Sequence, residues 1–260
     1  MRRALLSDIH GNLVALEAAL ADCEAQKADE IVCLGDICGY GPQPIECVDL
    51  IRQHCKWVLA GNHDMTLFMS VAVGFNRFAR EAIEWQRSVM QPYWYSFSKT
   101  VLRWQWLGSL SPMRLDGDVL YVHASPRDPI IEYVEEADFA DMGFGCSQKA
   151  QEIFERIERL SFCGHSHRPG VVTQEFHWTR PHLFQDMTCT LQPGDKTLVN
   201  IGSVGQPRDG NPQGCYVIHD DVAQTVTFRR VAYDIQEAQE RFKQVPRLSE
   251  RLWRRLEAGR

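Results

Sequence analysis

The apolar positions divide the chain into a regular first third and a less regular remainder. Residues 3–7 form an apolar run of strand length. Asn12 opens a helix whose inner face, Leu13, Leu16, Leu20 and Cys23, recurs at helical period. Ile31–Leu34 reads as a second strand. Pro42 and Pro44 open a second helix, with Ile45, Val48, Ile51 and Cys55 on one side; proline suits a first turn, where backbone N–H groups lack intrahelical partners. Trp57–Ala60 reads as a third strand. Strand, helix, strand, helix, strand predicts parallel strands joined by right-handed crossovers.

The pattern then changes. Residues 65–110 read as helical and aromatic, a cap-like insertion after the third strand. Strands are expected at Val119–Val122 and Leu160–Cys163, with a helix over 146–159 between them. The chain from 169 to 233 reads as β-rich, with strands near 170–176, 197–201, 214–219 and 225–232, and helices fill the last 27 residues. No repeat, linker or low-complexity tract interrupts this order, so residues 1–260 are expected to form a single α/β domain with two sheets.

Composition narrows the classes. With 44% hydrophobic and 24% charged residues, the chain is of ordinary globular composition rather than disordered. No apolar run approaches the ~18 residues of a membrane span. The N-terminal MRRALLSDIH lacks a secretory hydrophobic region. Nine cysteines without a C-x-x-C pair are neither a disulfide framework nor a zinc ribbon; they predict buried thiols in a reducing, cytoplasmic setting. The net charge of −6 argues against a general binder of polymeric nucleic acid. Residues 241–260 nevertheless carry +5, leaving −11 on the rest. That basic stretch reads as the solvated face of a helix that docks Leu248, Leu252, Trp253 and Leu256 inward.

Polar residues cluster where strands end, which is where open α/β sheets bind ligands. The first strand runs into Asp8-Ile9-His10, the second into Gly35-Asp36, and the third into Gly61-Asn62-His63-Asp64. The fourth runs into His123, and the strand at 160–163 into Gly164-His165-Ser166-His167. In extended backbone, residues i and i+2 point the same way, so Asp8 with His10 and His165 with His167 can each send two ligands into one site. Each element alone is a weak signal, since D-x-H and G-N-H-D are also turn sequences. Together they supply seven candidate ligands: Asp8, His10, Asp36, Asn62, His123, His165 and His167. Imidazole, carboxylate and amide oxygen without thiolate suit Mn first, with Fe, Zn, Ni or Co also served, better than Ca. Seven are too many for one tetrahedral ion and fit two ions sharing a carboxylate, an arrangement that activates water for phosphoryl displacement.

In these motifs, D-x-H, G-D, G-N-H-D, a strand-end His and G-H-x-H in order, the chain resembles the calcineurin-like metallophosphoesterases. The stretches Gly35-Asp-Ile-Cys-Gly-Tyr-Gly-Pro42, His123-Ala-Ser-Pro126 and Asn200-Ile-Gly-Ser-Val-Gly-Gln-Pro-Arg-Asp-Gly210 resemble its compact bacterial and archaeal phosphodiesterases. The resemblance implies a four-layer α-β-β-α sandwich of two mixed sheets. It implies one metal on Asp8, His10 and His167, a second on Asn62, His123 and His165, and Asp36 between them. It also implies a catalytic role for His63 that is not ligation. A water bridging two dications would be acidified to hydroxide, and His63 would protonate the leaving alkoxide. The sequence departs from the G-D-x-x-D-R-G of the family's protein phosphatases: Gly39 stands where that carboxylate would be, leaving Asp64 as the nearest acid that could orient His63 or cap the following helix.

Substrate residues are less marked. Arg127, Arg168 and Arg208 each follow a strand-end motif and could clamp phosphate or form surface ion pairs. The aromatic stretch 85–106 could stack a base, or simply pack a helical cap, and residues 177–196 form a polar connection that could overhang the site. The expected activity is hydrolysis of phosphodiesters or nucleotide phosphoanhydrides, such as dinucleoside polyphosphates, with a small substrate and no membrane partner. A phosphomonoesterase or protein phosphatase is the alternative enzyme. A non-catalytic metal-bound scaffold is the alternative of another class, and it predicts missing ligands where none is missing.

Overall fold

The computed structural model describes residues 1–69, 74–140 and 146–260. Its first part follows the expected alternation: β1 (Arg2–Leu6), α1 (Leu13–Ala25), β2 (Glu30–Cys33), α2 (Pro44–His54) and β3 (Cys55–Val58). Asn12 caps α1 by accepting the Ala15 N–H through its side chain, and Pro44 begins α2. Three helices follow: α3 (Asn62–Thr66), α4 (Arg77–Met90) and α5 (Ser98–Gly108). Next come β4 (Met113–Asp116), β5 (Val119–Val122), α6 (Gln148–Glu155), β6 (Leu160–Cys163), β7 (Gly170–Thr173), β8 (Trp178–Thr179), β9 (Thr188–Thr190), β10 (Thr197–Asn200), β11 (Gly214–Asp220), β12 (Thr225–Val231), α7 (Ile235–Lys243) and α8 (Glu250–Ala258).

The strands form two mixed six-stranded sheets, ordered β3-β2-β1-β11-β12-β9 and β4-β5-β6-β10-β7-β8. In the first, β1 pairs parallel to β2 and antiparallel to β11; in the second, β6 pairs parallel to both β5 and β10. Because successive side chains alternate faces, β1 serves two cores. Leu5 enters the layer between the sheets with Val32, Tyr121, Phe162 and Val217. Ala4 and Leu6 face a cluster that includes Leu16, Ile37, Val48 and Ile51 of the helical side. On the outer side of the second sheet, Ile153 and Phe154 of α6 pack with Leu120, Val172 and Leu198. The result is the expected α-β-β-α sandwich.

Three strands were not legible in the pattern. All four residues of β4 are exposed, so it lacks the apolar alternation that marks a half-buried strand; it forms by a hairpin to β5 around Gly117, at φ 61°. β8 and β9 have two and three residues, too short to show a period. The helix expected over 146–159 is shorter, and helical backbone begins at Asn62 rather than 65. Within the 65–110 stretch, residues 70–73 lie outside the described residues. All nine cysteines are free thiols, seven of them buried.

Candidate metal centre

The parallel strand ends of both sheets deliver the site. Asp8, His10, Asp36, His63, His123, His165 and His167 are all at most 5% exposed, and Asn62 is half-buried. The two halves are sewn together across the sheets: the His165 N–H donates to Asp8 Oδ2 at 3.0 Å, and the Val204 N–H to the Ser7 carbonyl at 3.0 Å.

The extended-backbone reason for the i, i+2 pairs does not hold. Asp8, His10, Asp36, His165 and His167 all lie in the left-handed region, with φ between 52° and 62°. Conformations of this kind are costly for residues with a Cβ, and cluster at functional sites. The paired ligands therefore converge because the backbone coils past the strand end, held by Asp8 N–H to Gly35 O and His10 N–H to Asp36 O at 3.0 and 2.9 Å. Close approach explains Gly61: a Cβ there would stand 2.0 Å from Asp36 Oδ1.

Four imidazoles are each fixed through one ring nitrogen by a backbone carbonyl. His10 Nδ1 donates to Cys38 O at 2.9 Å, His123 Nδ1 to Leu34 O at 3.0 Å, His167 Nδ1 to Gln206 O at 2.5 Å, and His165 Nε2 to Ile131 O at 3.2 Å. Such anchoring sets the tautomer and leaves the other nitrogen as a lone pair aimed inward. His10 Nε2 and His167 Nε2 then face each other at 3.0 Å, and Asp8 Oδ1, buried and without a hydrogen-bond partner among the described residues, lies 3.1 Å from His167 Nε2. Burial, the largest cause, holds both imidazoles well below their ordinary pKa, which favours neutral rings.

The other half is balanced differently. His123 Nε2 lies 3.2 Å from both Asn62 Oδ1 and His165 Nδ1, and 3.5 Å from Asp36 Oδ2. Burial pushes His123 down, but the Asp36 carboxylate overrides it and lifts the ring to about 9. Asp36 falls well below the carboxylate range: burial opposes this, and the His123 charge brings it about. Asp36 Oδ2 is also 3.7 Å from His10 Nε2, placing that oxygen between the two halves. Among the described residues, three sets of ligand atoms lie within 4.8 Å of one another: Asp8-His10-His167, Asp36-His123-His165 and His10-Asp36-His63. The converging lone pairs of Asp8, His10 and His167 fit a cation, and so does the set of Asp36, His123 and His165.

His63 is held by other means. Its ring lies 4.6 Å from Tyr40, 4.7 Å from Phe75 and 4.9 Å from His10, and its buried Nδ1 has no partner among the described residues. Burial lowers its pKa to about 4 against the opposing Asp36 charge. A Cβ on Gly39, at φ 98°, would stand 2.4 Å from His63 Nδ1 and 2.9 Å from His10 Nδ1. The missing phosphatase carboxylate thus has a steric reason. Asp64 does not orient His63; it accepts from the backbone N–H groups of Ile37, Cys38 and Gly61, tying the Asp36 loop to α3. Asn62 and His63 sit in the first turn of α3, so it is helical rather than extended backbone that separates their side chains.

The arginines separate. Arg127 is engaged by Glu132 at 3.0 Å and Glu152 at 2.6 Å, and Arg168 by Glu135 at 3.3 Å. Arg208 instead bonds Gln206 Oε1 at 2.8 Å and Tyr40 Oη at 3.4 Å, with its backbone N–H on His167 O. A cavity of about 790 Å³ opens beside it, lined by Glu135, Glu136 and Arg168 and, from the 177–196 connection, by Trp178, Arg180 and His182. The aromatic stretch divides: Trp85, Trp104 and Trp106 pack against the cores, whereas Tyr93, Trp94, Tyr95 and Phe97 are exposed.

Sequence reasoning passed over Tyr40, Gln86 and Tyr133. Buried Gln86 of α4 accepts the Gly39 N–H at 2.6 Å and donates to Gly41 O at 2.8 Å, fixing the loop that carries Tyr40. Tyr133 stacks on His165 at 4.1 Å. Only Tyr40 had a visible cue, its place between two glycines beside Asp36. The Gly202–Gln206 stretch supports the centre: Ser203 Oγ donates to Asp8 O, and Gln206 O anchors His167.

Comparison with known proteins agrees with this geometry. The family profile described as calcineurin-like phosphoesterase matches residues 1–169. An uncharacterized protein of Methanocaldococcus jannaschii is 35% identical over 259 residues, 99% of this chain and 98% of its own. A metallophosphoesterase crystal structure from Sphaerobacter thermophilus superposes with a TM-score of 0.83 at 36% identity, covering 100% of this chain and 99% of its own. A hypothetical protein from Pyrococcus horikoshii shares the fold at a TM-score of 0.73 and 19% identity, covering 100% and 98%.

Proposed function

The chain belongs to the calcineurin-like phosphoesterases, metal-dependent hydrolases of phosphoester bonds, and we propose that within this family it cleaves phosphodiesters or nucleotide phosphoanhydrides, such as dinucleoside polyphosphates. The observation that carries the metal dependence is the convergence of Asp8 Oδ1, His10 Nε2 and His167 Nε2, beside the Asp36–His123 pair. In this reading Asp8, His10 and His167 would hold one divalent ion and Asn62, His123 and His165 the other, with Asp36 available to both. Manganese is the first choice for such N/O donors. When bound, the two ions would supply Lewis acidity at the phosphoryl oxygens and an acidified water for attack.

The remaining steps belong to the chain. His63, close to the ligands, with its ring held by packing and its Nδ1 unpartnered among the described residues, donates a proton to the leaving oxygen. Burial disfavours its protonated form in the free protein, and an anionic phosphate bound beside it would raise its proton affinity, as an acid near neutral pH requires. Arg208 places one guanidinium at the edge of the site, where charge-assisted bonds can orient phosphate. The adjoining cavity has room for an organic leaving group, which favours substrates larger than a phosphoserine side chain. Residues 65–110 act with the rest of a single 1–260 unit, because Gln86 of α4 ties them to the Gly39–Gly41 loop. Among the described residues no helix is long and apolar enough to cross a membrane.

The test is a side-by-side panel: bis-p-nitrophenyl phosphate, diadenosine tetraphosphate, p-nitrophenyl phosphate and a phosphoserine peptide, before and after chelation and with Mn²⁺ restored. The diester and anhydride should lead in kcat/KM, and chelation should abolish turnover. A lead for the phosphopeptide would make the protein a phosphomonoesterase. Absence of turnover on every substrate with metal bound would favour the scaffold.

A further inference from the structure

The four anchored imidazoles are not held alike. His10, His123 and His167 anchor through Nδ1, at 2.5–3.0 Å, and turn Nε2 inward. His165 anchors the other way round. Its Nε2 bonds the carbonyl of the exposed Ile131 at 3.2 Å, the longest of the four contacts, and its Nδ1 faces His123. A half-turn about Cβ–Cγ would put a ring carbon where that Nδ1 stands, and a smaller turn would swing its lone pair out of line. The main chain alone therefore holds His165 least firmly.

Tyr133 adds a second hold. Its ring lies on the face of His165, with centroids 4.1 Å apart and planes 29° from parallel, whereas Tyr40 meets His10 edge-on, at 73°. Tyr133 is 44% exposed and packs into none of the apolar clusters among the described residues, so core filling does not explain its pose. The backbone on either side does. Before it, the loop leaving β5 closes on itself: the Ala124 N–H donates to Pro129 O at 2.9 Å and the Ser125 N–H to Asp128 O at 3.0 Å, while Glu132 accepts from Ser125 Oγ and pairs with Arg127. After it, Val134 is buried with Ile153 and Phe154 of α6, and Lys149 Nζ of the same helix donates to the Tyr133 carbonyl at 2.6 Å. This loop starts at one candidate ligand, His123, and ends against another, His165.

We propose that Tyr133 is a positioning residue of the second metal half: the Ile131 carbonyl selects which way round the His165 ring sits, and the Tyr133 ring fixes the plane in which Nδ1 presents its lone pair. Partners that orient a ligand in this way raise metal affinity. The electron-rich face of a tyrosine also favours an imidazole that shares the charge of a bound cation. The inference rests on the reading of Asn62, His123 and His165 as the second ligand set. It makes that half depend on one exposed side chain and leaves the Asp8-His10-His167 half independent of it. Occupancy of the two halves is then separable by a substitution that removes no ligand.

Binding can be measured without turnover. Mn²⁺ affinity and stoichiometry are read by equilibrium dialysis with elemental analysis on wild type, Tyr133→Phe, Tyr133→Leu and Tyr133→Ala. Wild type and Tyr133→Phe should bind two ions alike. Tyr133→Ala should bind one ion as wild type does and the other at least about tenfold more weakly, the lower end of the effect of such outer partners on metal affinity. Electron paramagnetic resonance should show the same change as loss of the exchange-coupled manganese pair at metal concentrations where wild type displays it. Saturating Mn²⁺ should restore kcat of Tyr133→Ala on bis-p-nitrophenyl phosphate, since every ligand remains. Two ions held equally well by wild type and Tyr133→Ala would overturn the proposal and leave the two-ion reading standing. One ion per wild-type chain would overturn that reading and the proposal with it. Equal weakening of both ions would mark a loosened loop, and a raised KM for diadenosine tetraphosphate with both affinities unchanged would mark a substrate platform; either result overturns the positioning role. If Tyr133→Ala does not fold, as judged by circular dichroism, Tyr133→Leu, which keeps bulk without an aromatic face, decides by the same criteria.

Discussion

The strand-end rim and the wall beside it treat buried histidines in opposite ways. On the rim, His10, His123, His165 and His167 each give one nitrogen to a backbone carbonyl, so that ring, tautomer and inward lone pair are all fixed. Beside it, His63 is positioned by Tyr40, Phe75 and the bare Gly39, with Nδ1 unpartnered among the described residues. A nitrogen that must hold a cation needs a fixed lone pair, whereas one that must move a proton needs a ring whose protonation can change. Burial alone makes neither. His219 on β11 is 3% exposed, with its Nε2 unpartnered among the described residues, yet its ring lies tilted against Phe162 at 5.2 Å, and it belongs to none of the candidate ligand sets among those residues.

The strongest way to break this contrast is Asp36→Asn. Asp36 Oδ2 lies near both His10 and His123, so the variant should bind less metal at both positions and fall to the activity of chelated protein, a loss of at least about 10³-fold given several kcal/mol of metal-derived charge stabilisation. Elemental analysis with a diester assay checks it; retention of full metal content and rate would refute the shared position.

His63→Gln tests the wall. It should keep its metals and lose about 10²–10⁴-fold on alkyl or nucleoside esters, but much less on p-nitrophenyl esters, whose leaving group departs unprotonated. Equal losses on both, with metals intact, would remove the acid role. Gly39→Ala should push the same ring aside without deleting it. We expect up to about 10²-fold from misplacement, a stability loss of about 1–3 kcal/mol from the left-handed backbone, and the same ester selectivity, read from kcat/KM and thermal melting.

The smallest effect belongs to the histidine outside the site. Burial, with Arg3 and Arg159 adding to it, lowers His219 to about 4, below the ordinary 6.5 of the unfolded chain. As pH falls, the unfolded state takes up this proton first, so stability is lost between about pH 6.5 and 4. His219→Phe should remove about 1–3 kcal/mol of that loss without changing activity at pH 7. Parallel stability curves for the two proteins across this window would contradict the assignment.

The sequence displayed the parts of this molecule that depend on short-range order. The strand ends carried their polar residues openly, and the helix and strand periods of β1 to β3 were clear because those strands are packed on helices and sheet alike. What stayed hidden depends on contacts between distant segments. β4 is polar at every position and exists through its pairing with β5. Gln86 reads as one more polar residue of an amphipathic helix, although it is the link from α4 to the Tyr40 loop. The left-handed backbone at five candidate ligands could not be read either, since only glycine announces that region and these positions are Asp and His. Arg127 and Arg208 looked equivalent in sequence; one meets two carboxylates and the other meets Tyr40.

The most direct test of the central claim is anomalous diffraction from crystals of the manganese-loaded protein, because the donors can be grouped in more than one way and His10-Asp36-His63 is itself a compact set. The account predicts two peaks per chain, one within ligand distance of Asp8, His10 and His167, the other of Asn62, His123 and His165, with Asp36 shared and His63 bound to neither. A single peak, or one coordinated by His63, would contradict it.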